Sequence, residues 1–165
     1  MTKAGTRAII SGDISGGISG ATIDPNSPKG EEKAVRLYDR IRDSDEDVLS
    51  ITRTLAIVHK DLGVSVGDIQ KIKEYLFYDS HQMSDGFHPF IPEPDIPDSW
   101  LRLTAGASQI KPHDITLIRY EILEMRYVDS GMTQAEAHEL ASPKYDYDEE
   151  CRKYHGKVGK HKERR

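Results

Sequence analysis

This sequence has little cysteine, only short apolar runs and no signal-peptide pattern, and each shortage excludes a class of protein. The 165 residues hold one cysteine, Cys151, so the chain can form neither an internal disulfide nor a cluster of thiolate metal ligands. Its most apolar run, residues 55–58, is far shorter than the ~20 residues of a membrane-spanning helix. No apolar stretch of signal-peptide type follows Met1. We therefore expect a cytoplasmic protein, or a piece of a larger one, with no membrane partner.

The common signatures of nucleotide-binding and hydrolytic sites are also missing. The sequence contains no Walker loop, dinucleotide fingerprint, serine nucleophile elbow or His-Glu-x-x-His motif. Hydrophobic residues make up 36% of the chain, which is low for a compact domain but above the range of disordered proteins. The formal net charge of -5 leaves an acidic body, which lacks the basic surface of a duplex DNA groove binder.

Composition divides the chain into three segments. Residues 1–28 repeat Ile-Ser-Gly steps and end in turn formers, which predicts a flexible arm or linker. Residues 29–155 carry apolar side chains at helical spacing and are predicted to form one domain. Residues 156–165 belong to a basic tail, since residues 152–165 contain seven Lys or Arg against one Glu. Such a tail is typical of a solvated terminus, and contact with nucleic acid or an acidic partner is the alternative.

The pattern inside the domain predicts an all-α fold of six or seven short helices. Residues 79–98 interrupt the helical pattern with four prolines and a glycine, so a long loop is expected there. Capping signals predict further boundaries, with Asp114 as the N-cap of the main helix and residues 142–143 opening the last helix. The predicted core contains Leu37, Ile51, Leu55, Val58, Ile72, Leu76, Trp100, Ile118, Ile122 and Met125.

A carboxylate on an apolar helix face gives the first candidate site residue. Glu121 falls inside the arc formed by the apolar residues of segment 114–128, and a buried carboxylate needs a partner. A short turn at residues 130–132 joins this helix to the next, where His138 lies beside small side chains. Glu121 and His138 are therefore predicted to meet, and Glu124 is a further candidate on the same side but nearer to solvent. A structural hydrogen-bond network is the alternative role for these residues.

The loop predicted at residues 79–98 supplies the third member of the candidate site. His81 directly follows an amphipathic helix, so the packing of that helix would hold its ring near the cleft. With Glu121 and His138, it could form either a general acid–base site or the ligands of a divalent metal such as zinc. The residues alone do not choose between these two chemistries.

Several elements of the sequence together resemble a known module. Ser99-Trp-Leu-Arg-Leu103, Pro112-His-Asp114, Ala137-His138 and Tyr145-Asp-Tyr147 are similar to motifs at the C-terminal end of bacterial polymorphic toxins and prophage minor head proteins of the MuF type. The similarity covers roughly residues 14–150. It implies a helical effector domain delivered as part of a larger secreted or phage-borne protein, with a cognate immunity protein as a candidate partner.

Two functions follow from these expectations. The first is a toxin-type hydrolase that acts on nucleic acid, with Glu121, His138, His81 and Glu124 as its catalytic candidates. The second is a non-catalytic structural or binding module of a phage head or secreted assembly, in which the Glu and His form a buried polar network. One departure from the resemblance matters, since a histidine usually precedes the glutamate where this chain has Tyr120. That difference predicts a weakened, altered or inactive copy if the histidine is functional.

Overall fold

A computed structural model describes residues 28–83, 85–90 and 94–163 of the protein. These ranges contain seven α-helices and one two-stranded antiparallel sheet, which confirms the all-α prediction. The arm predicted at residues 1–28 lies outside them except for its last residue. The elements in chain order are α1 (Pro28–Arg42), α2 (Asp47–Val58), α3 (Val66–Phe77), β1 (Ser80–Met83), β2 (Gly86–Pro89), α4 (Asp95–Ala105), α5 (Pro112–Asp129), α6 (Gln134–Ala141) and α7 (Tyr147–Glu163).

The first three helices bury the apolar faces that their periodicity predicts. Ile51 and Leu55 of α2 are fully buried, but Val58 is 42% exposed, so its predicted place in the core is wrong. The reason is that α2 ends at Val58, where His59 leaves helical geometry with φ -139°. A short 3₁₀ turn follows and closes at Gly63, whose φ of 59° suits a residue without Cβ.

Local hydrogen bonds explain where α3 and α6 begin. Ser65 and Asp68 form a capping box at the start of α3. Thr133 and Glu136 form the same arrangement at the start of α6. Both boxes satisfy backbone N–H groups that have no partner inside the helix.

The segment predicted as a loop contains a β-hairpin, which corrects that prediction. β1 and β2 pair from Ser80 opposite Pro89 to Met83 opposite Gly86, and Gly86 has φ 135° at the turn. Each strand has only four residues, too few to produce a clear alternating pattern. The next helix, α4, also starts earlier than Ser99, at Asp95, because a proline such as Pro97 is tolerated in a first turn.

The second half of the chain is a helical hairpin followed by a long helix. Gly131, with φ 108°, lies in the turn after α5, and α6 then packs against α5. Asp114 is at the third position of α5 and accepts a hydrogen bond from the N–H of Lys111 at 2.8 Å, so it is not the N-cap. The last helix begins at Tyr147 rather than at residue 143, because Asp146 accepts the N–H of Glu149 at 3.1 Å.

Trp100 lies in the core that joins these helices and is fully buried. Its indole N–H donates to Asp47 at 2.8 Å, and Lys73 donates to the same carboxylate at 2.9 Å. This buried ion pair connects α2, α3 and α4 around the tryptophan, since Asp47 and Lys73 are almost inaccessible to solvent. Cys151 of α7 is buried in the same core.

Candidate functional site

The four predicted site residues come from three elements that pack together. Glu121 and Glu124 lie on α5, His138 on α6 and His81 on β1. Both glutamates are fully buried, so the prediction that Glu124 is nearer to solvent is wrong. The side chain of His138 retains 14% of its exposure and reaches solvent.

The carboxylate of Glu124 has three hydrogen-bond donors, which lie on α5, α3 and α6. Tyr120, one turn earlier on α5, donates its hydroxyl proton to one carboxylate oxygen. Tyr75 of α3 donates to the other oxygen at 2.9 Å, and the amide of Gln134 on α6 approaches that oxygen at 3.5 Å. These donors compensate the burial of a carboxylate, which would otherwise be costly.

His138 contacts this carboxylate through Tyr120. Its Nδ1 hydrogen bonds with the Tyr120 hydroxyl and lies 3.8 Å from a Glu124 oxygen. Among the described residues His138 makes no bond to Glu121, so the predicted Glu121–His138 pair is corrected to Glu124–His138. Helical geometry explains the difference, since Tyr120 and Glu124 are four residues apart and share a face, whereas Glu121 is rotated by about 60° from Glu124.

Proton counting assigns the tautomer of His138 when Glu124 is ionised. A tyrosine hydroxyl carries a single proton, and here it is donated to Glu124. The Tyr120 oxygen then accepts a hydrogen bond from Nδ1–H of His138. The neutral ring is left with its lone pair on Nε2, and Ser142 Oγ lies 3.3 Å from that nitrogen. A buried carboxylate thus orients a partly exposed imidazole as a base.

A small cavity lies beside His138. It has a volume of about 10 Å³ and is lined by Tyr120, His138, Ser142 and the segment 145–148. That volume is about the minimum that holds one water molecule. The cavity therefore offers room for a water within reach of the imidazole.

His81 does not complete this site. Its Nε2 donates to the backbone carbonyl of Tyr75 at 2.8 Å, and its ring stacks on Phe90 with centroids 4.2 Å apart. The ring also lies 4.3 Å from that of Tyr75, so His81 supports the tyrosine that bonds to Glu124. Within residues 28–83, 85–90 and 94–163, no group of three His, Cys, Asp or Glu side chains could hold a metal ion. The predicted ligand set of His81, Glu121 and His138 is not assembled.

Comparisons with known proteins give no relative for this arrangement. No family model, curated protein or solved structure matches the chain significantly. No helix in the described part of the chain is both long enough and apolar enough to span a bilayer.

A second polar network lies where α4, α5 and α7 meet. Arg102 forms two hydrogen bonds to Asp114, one of them at 2.8 Å from Nε, and also donates to His113 at 2.9 Å. Burial lowers the pKa of His113 to about 4, and the neighbouring Arg102 cation acts in the same direction. His113 is thus a buried neutral acceptor of the Arg102 hydrogen bond.

The same network ties α7 to α4. His155 Nε2 lies 2.7 Å from the carboxylate of Asp95, and the hydroxyl of Tyr147 donates to the Asp95 carbonyl at 2.9 Å. Burial raises the pKa of Asp95, and the His155 hydrogen bond opposes that shift. The side chain of His155 is only 8% exposed. In the described structure these side chains hold helices together, and Tyr147 is the one that also lines the cavity beside His138.

Three residues of the site could not be predicted as a group. Tyr120 lies four residues before Glu124, a spacing that places both side chains on one helix face and is a detectable signal. Tyr75 reaches Glu124 from a helix 49 residues away in sequence, and nothing local marks that contact. Gln134 lies in the first turn of α6, where a polar residue is ordinary.

Proposed function

We propose that this protein is a toxin-type effector domain in which His138 acts as a general acid–base. One observation supports the proposal above others: a fully buried Glu124 is connected through Tyr120 to a histidine whose ring reaches solvent. A carboxylate, a hydroxyl and an imidazole that are hydrogen-bonded in this order fix the tautomer of the ring that exchanges protons with a substrate. The resemblance of the sequence to polymorphic toxins and MuF-type head proteins supports the effector role.

The proposed chemistry is hydrolysis. His138 Nε2 accepts a proton from a water in the adjacent cavity as the water oxygen bonds to the electrophilic atom of the substrate. Tyr120 and Glu124 stabilise the resulting imidazolium, because the carboxylate lies 3.8 Å from Nδ1. The proton then passes from Nε2 to the leaving group, which restores the starting state.

Nucleic acid is the substrate class that the toxin resemblance implies. Asp146 and Asp148 line the cavity beside His138, and their carboxylates repel a phosphodiester. A nucleic acid substrate would therefore require a counter-cation there, so Mg²⁺ belongs in any assay with RNA or DNA.

Growth of a bacterium that expresses the protein tests the proposal. We expect the wild type to arrest growth, and His138→Gln and Tyr120→Phe to relieve the arrest. His59→Gln is the matched control, since that histidine is partly exposed, lies outside the Glu124 network, and has Asp61 as its only side-chain ion-pair partner in the described part of the chain. Circular dichroism of the purified variants establishes that they are folded. Equal and unimpaired growth with the wild type and all variants would contradict the proposal.

A structural module is the second candidate function, and the burial of both glutamates favours it. Glu121 and Glu124 have no exposed surface, and three donors converge on Glu124. In this role His138→Gln and Tyr120→Phe lower the free energy of unfolding by about 1–3 kcal/mol without any effect on cell growth. A stability loss combined with harmless expression of the wild type would select this role.

A further inference from the structure

A large cleft lies apart from His138, between the hairpin and the ends of α3 and α5. Its volume is about 490 Å³, which is in the usual range for a site that takes a small molecule. Tyr75 forms part of its wall with its ring while its hydroxyl bonds to Glu124. We refer to it as the hairpin cleft.

Apolar and aromatic groups cover much of the hairpin cleft. Phe87 of β2 lines it and is 70% exposed, which is high for a phenylalanine. Met125 and Val128 of α5 contribute aliphatic surface, and the rings of Tyr75 and His81 stand next to each other in the wall. A ligand with an apolar body could bury this surface.

The charge of the hairpin cleft is negative. Glu74, Asp79 and Asp129 line it, and Lys71 is the only Lys or Arg among its described lining residues. Asp79 and Asp129 make no side-chain ion pair or hydrogen bond within the described part of the chain. Their carboxylates are thus available to a bound cation.

Helix geometry increases this negative potential. Asp79 follows the end of α3, whose last turn has no basic residue, and Asp129 is the last residue of α5. The C-terminal end of a helix carries partial negative charge, so carboxylates are unfavourable there and cations are favoured. Two helix ends place such carboxylates at the same cleft. This arrangement is electrostatically unfavourable, and natural proteins commonly keep unfavourable arrangements of this kind at functional sites.

We infer that the hairpin cleft binds a small organic cation, namely an amine or guanidinium carried on an apolar body. The charged group lies between Asp79 and Asp129, and the body contacts Phe87, Met125 and Tyr75. Aromatic faces attract such cations in addition to the carboxylates. The inference goes beyond the proposed function and does not depend on it, because it concerns binding alone.

Calorimetric titration with three probes of the same ring system tests the inference on the full chain. Tryptamine is a cation, tryptophol is neutral and indole-3-acetate is an anion, so their affinities separate charge from apolar burial. We expect saturable binding of tryptamine, weaker binding of tryptophol and none of indole-3-acetate. The double variant Asp79→Asn/Asp129→Asn should weaken tryptamine roughly fivefold to tenfold, and Lys71→Gln should strengthen it about twofold.

The control is Asp43→Asn/Asp45→Asn, which changes the net charge equally at two exposed positions that do not line the cleft. Because Asp79 and Asp129 are also exposed, all variants should fold, and thermal melting checks this. Phe87→Ala should weaken tryptamine and tryptophol alike, since both lose the same apolar contact. Absence of saturable tryptamine binding, similar affinities for the three probes, or an equal loss in the control variant would overturn the inference.

Discussion

Tyr120 is the residue on which the proposed site depends, because one hydroxyl joins Glu124 to His138. Its phenol ring is nearly buried, and the hydroxyl bonds to both neighbours. A histidine at this position, as the toxin resemblance implies, would offer two nitrogens where tyrosine offers one hydroxyl. The growth assay therefore tests whether a network built on Tyr120 is active.

Removing the Tyr120 hydroxyl should cost stability as well as activity. Tyr120→Phe leaves Glu124 buried with one donor fewer, so we expect the free energy of unfolding to fall by about 1–3 kcal/mol. Urea denaturation measures the change. Tyr127→Phe is the matched control, since within the described structure its hydroxyl makes a single, exposed hydrogen bond, accepted from Lys144 at 3.2 Å. Equal stability of the two variants would show that the buried hydroxyl contributes nothing.

At the scale of elements, α6 is the segment that positions the histidine, and it is short. It spans eight residues, and its first turn is closed by the Thr133–Glu136 capping box. Gln134 and His138, four residues apart, both face the network on α5. The capping box therefore affects the site because it helps to order α6, the helix that carries Gln134 and His138.

Thr133→Ala should loosen α6 and lower stability by about 1 kcal/mol, because a helix N-cap contributes roughly that much. Amide hydrogen exchange measures the loosening of α6 and the loss of stability, and we expect faster exchange along α6. Ser65→Ala removes the equivalent capping box of α3 and serves as the control. If both variants exchanged equally in α6, the cap would not be what orders this helix.

The comparison of sequence with structure is also clearest at the element scale. Helical periodicity identified the buried faces of α2 and α3. Ile51 and Leu55 of α2 and Ile72 of α3 belong to apolar patterns at helical spacing, and all three are buried. It could not distinguish Glu121 from Glu124, since a rotation of about 60° decides which carboxylate faces α6. The hairpin could not be predicted because each strand has only four residues, too few for a clear alternating pattern.

At the scale of the whole molecule, two buried polar networks lie at different positions along α5. One surrounds Glu124 in the middle of the helix, and the other surrounds Arg102, His113 and Asp114 at its start. The second network joins α4 and α7, so it affects the stability of the entire fold. The pH dependence of unfolding reports on it.

Stability should fall as the pH decreases from 6.5 toward 4, in part because of His113. The folded pKa of His113 is about 4, and the unfolded chain binds the same proton near pH 6.5, so acid favours the unfolded state. After allowance for partial solvent screening, the contribution is about 2 kcal/mol. The raised pKa of Asp95 acts in the opposite direction, so variants are needed to isolate the histidine.

His113→Gln should flatten this dependence, because glutamine can accept the Arg102 hydrogen bond without binding a proton. Urea denaturation at several pH values between 4 and 7 measures the slope, with His59→Gln as the control. An unchanged slope in His113→Gln would mean that His113 is not the group that senses acid.

The tautomer of His138 is the most direct measure of the central claim that a buried carboxylate orients this ring as a base. Nitrogen-15 chemical shifts of the imidazoles at neutral pH distinguish the two tautomers. We predict that His138 is protonated at Nδ1, where it bonds to Tyr120. His81 is the internal reference and should be protonated at Nε2, where it donates to the Tyr75 carbonyl. A His138 ring protonated at Nε2, or one whose tautomer is unchanged in Tyr120→Phe, would contradict the account.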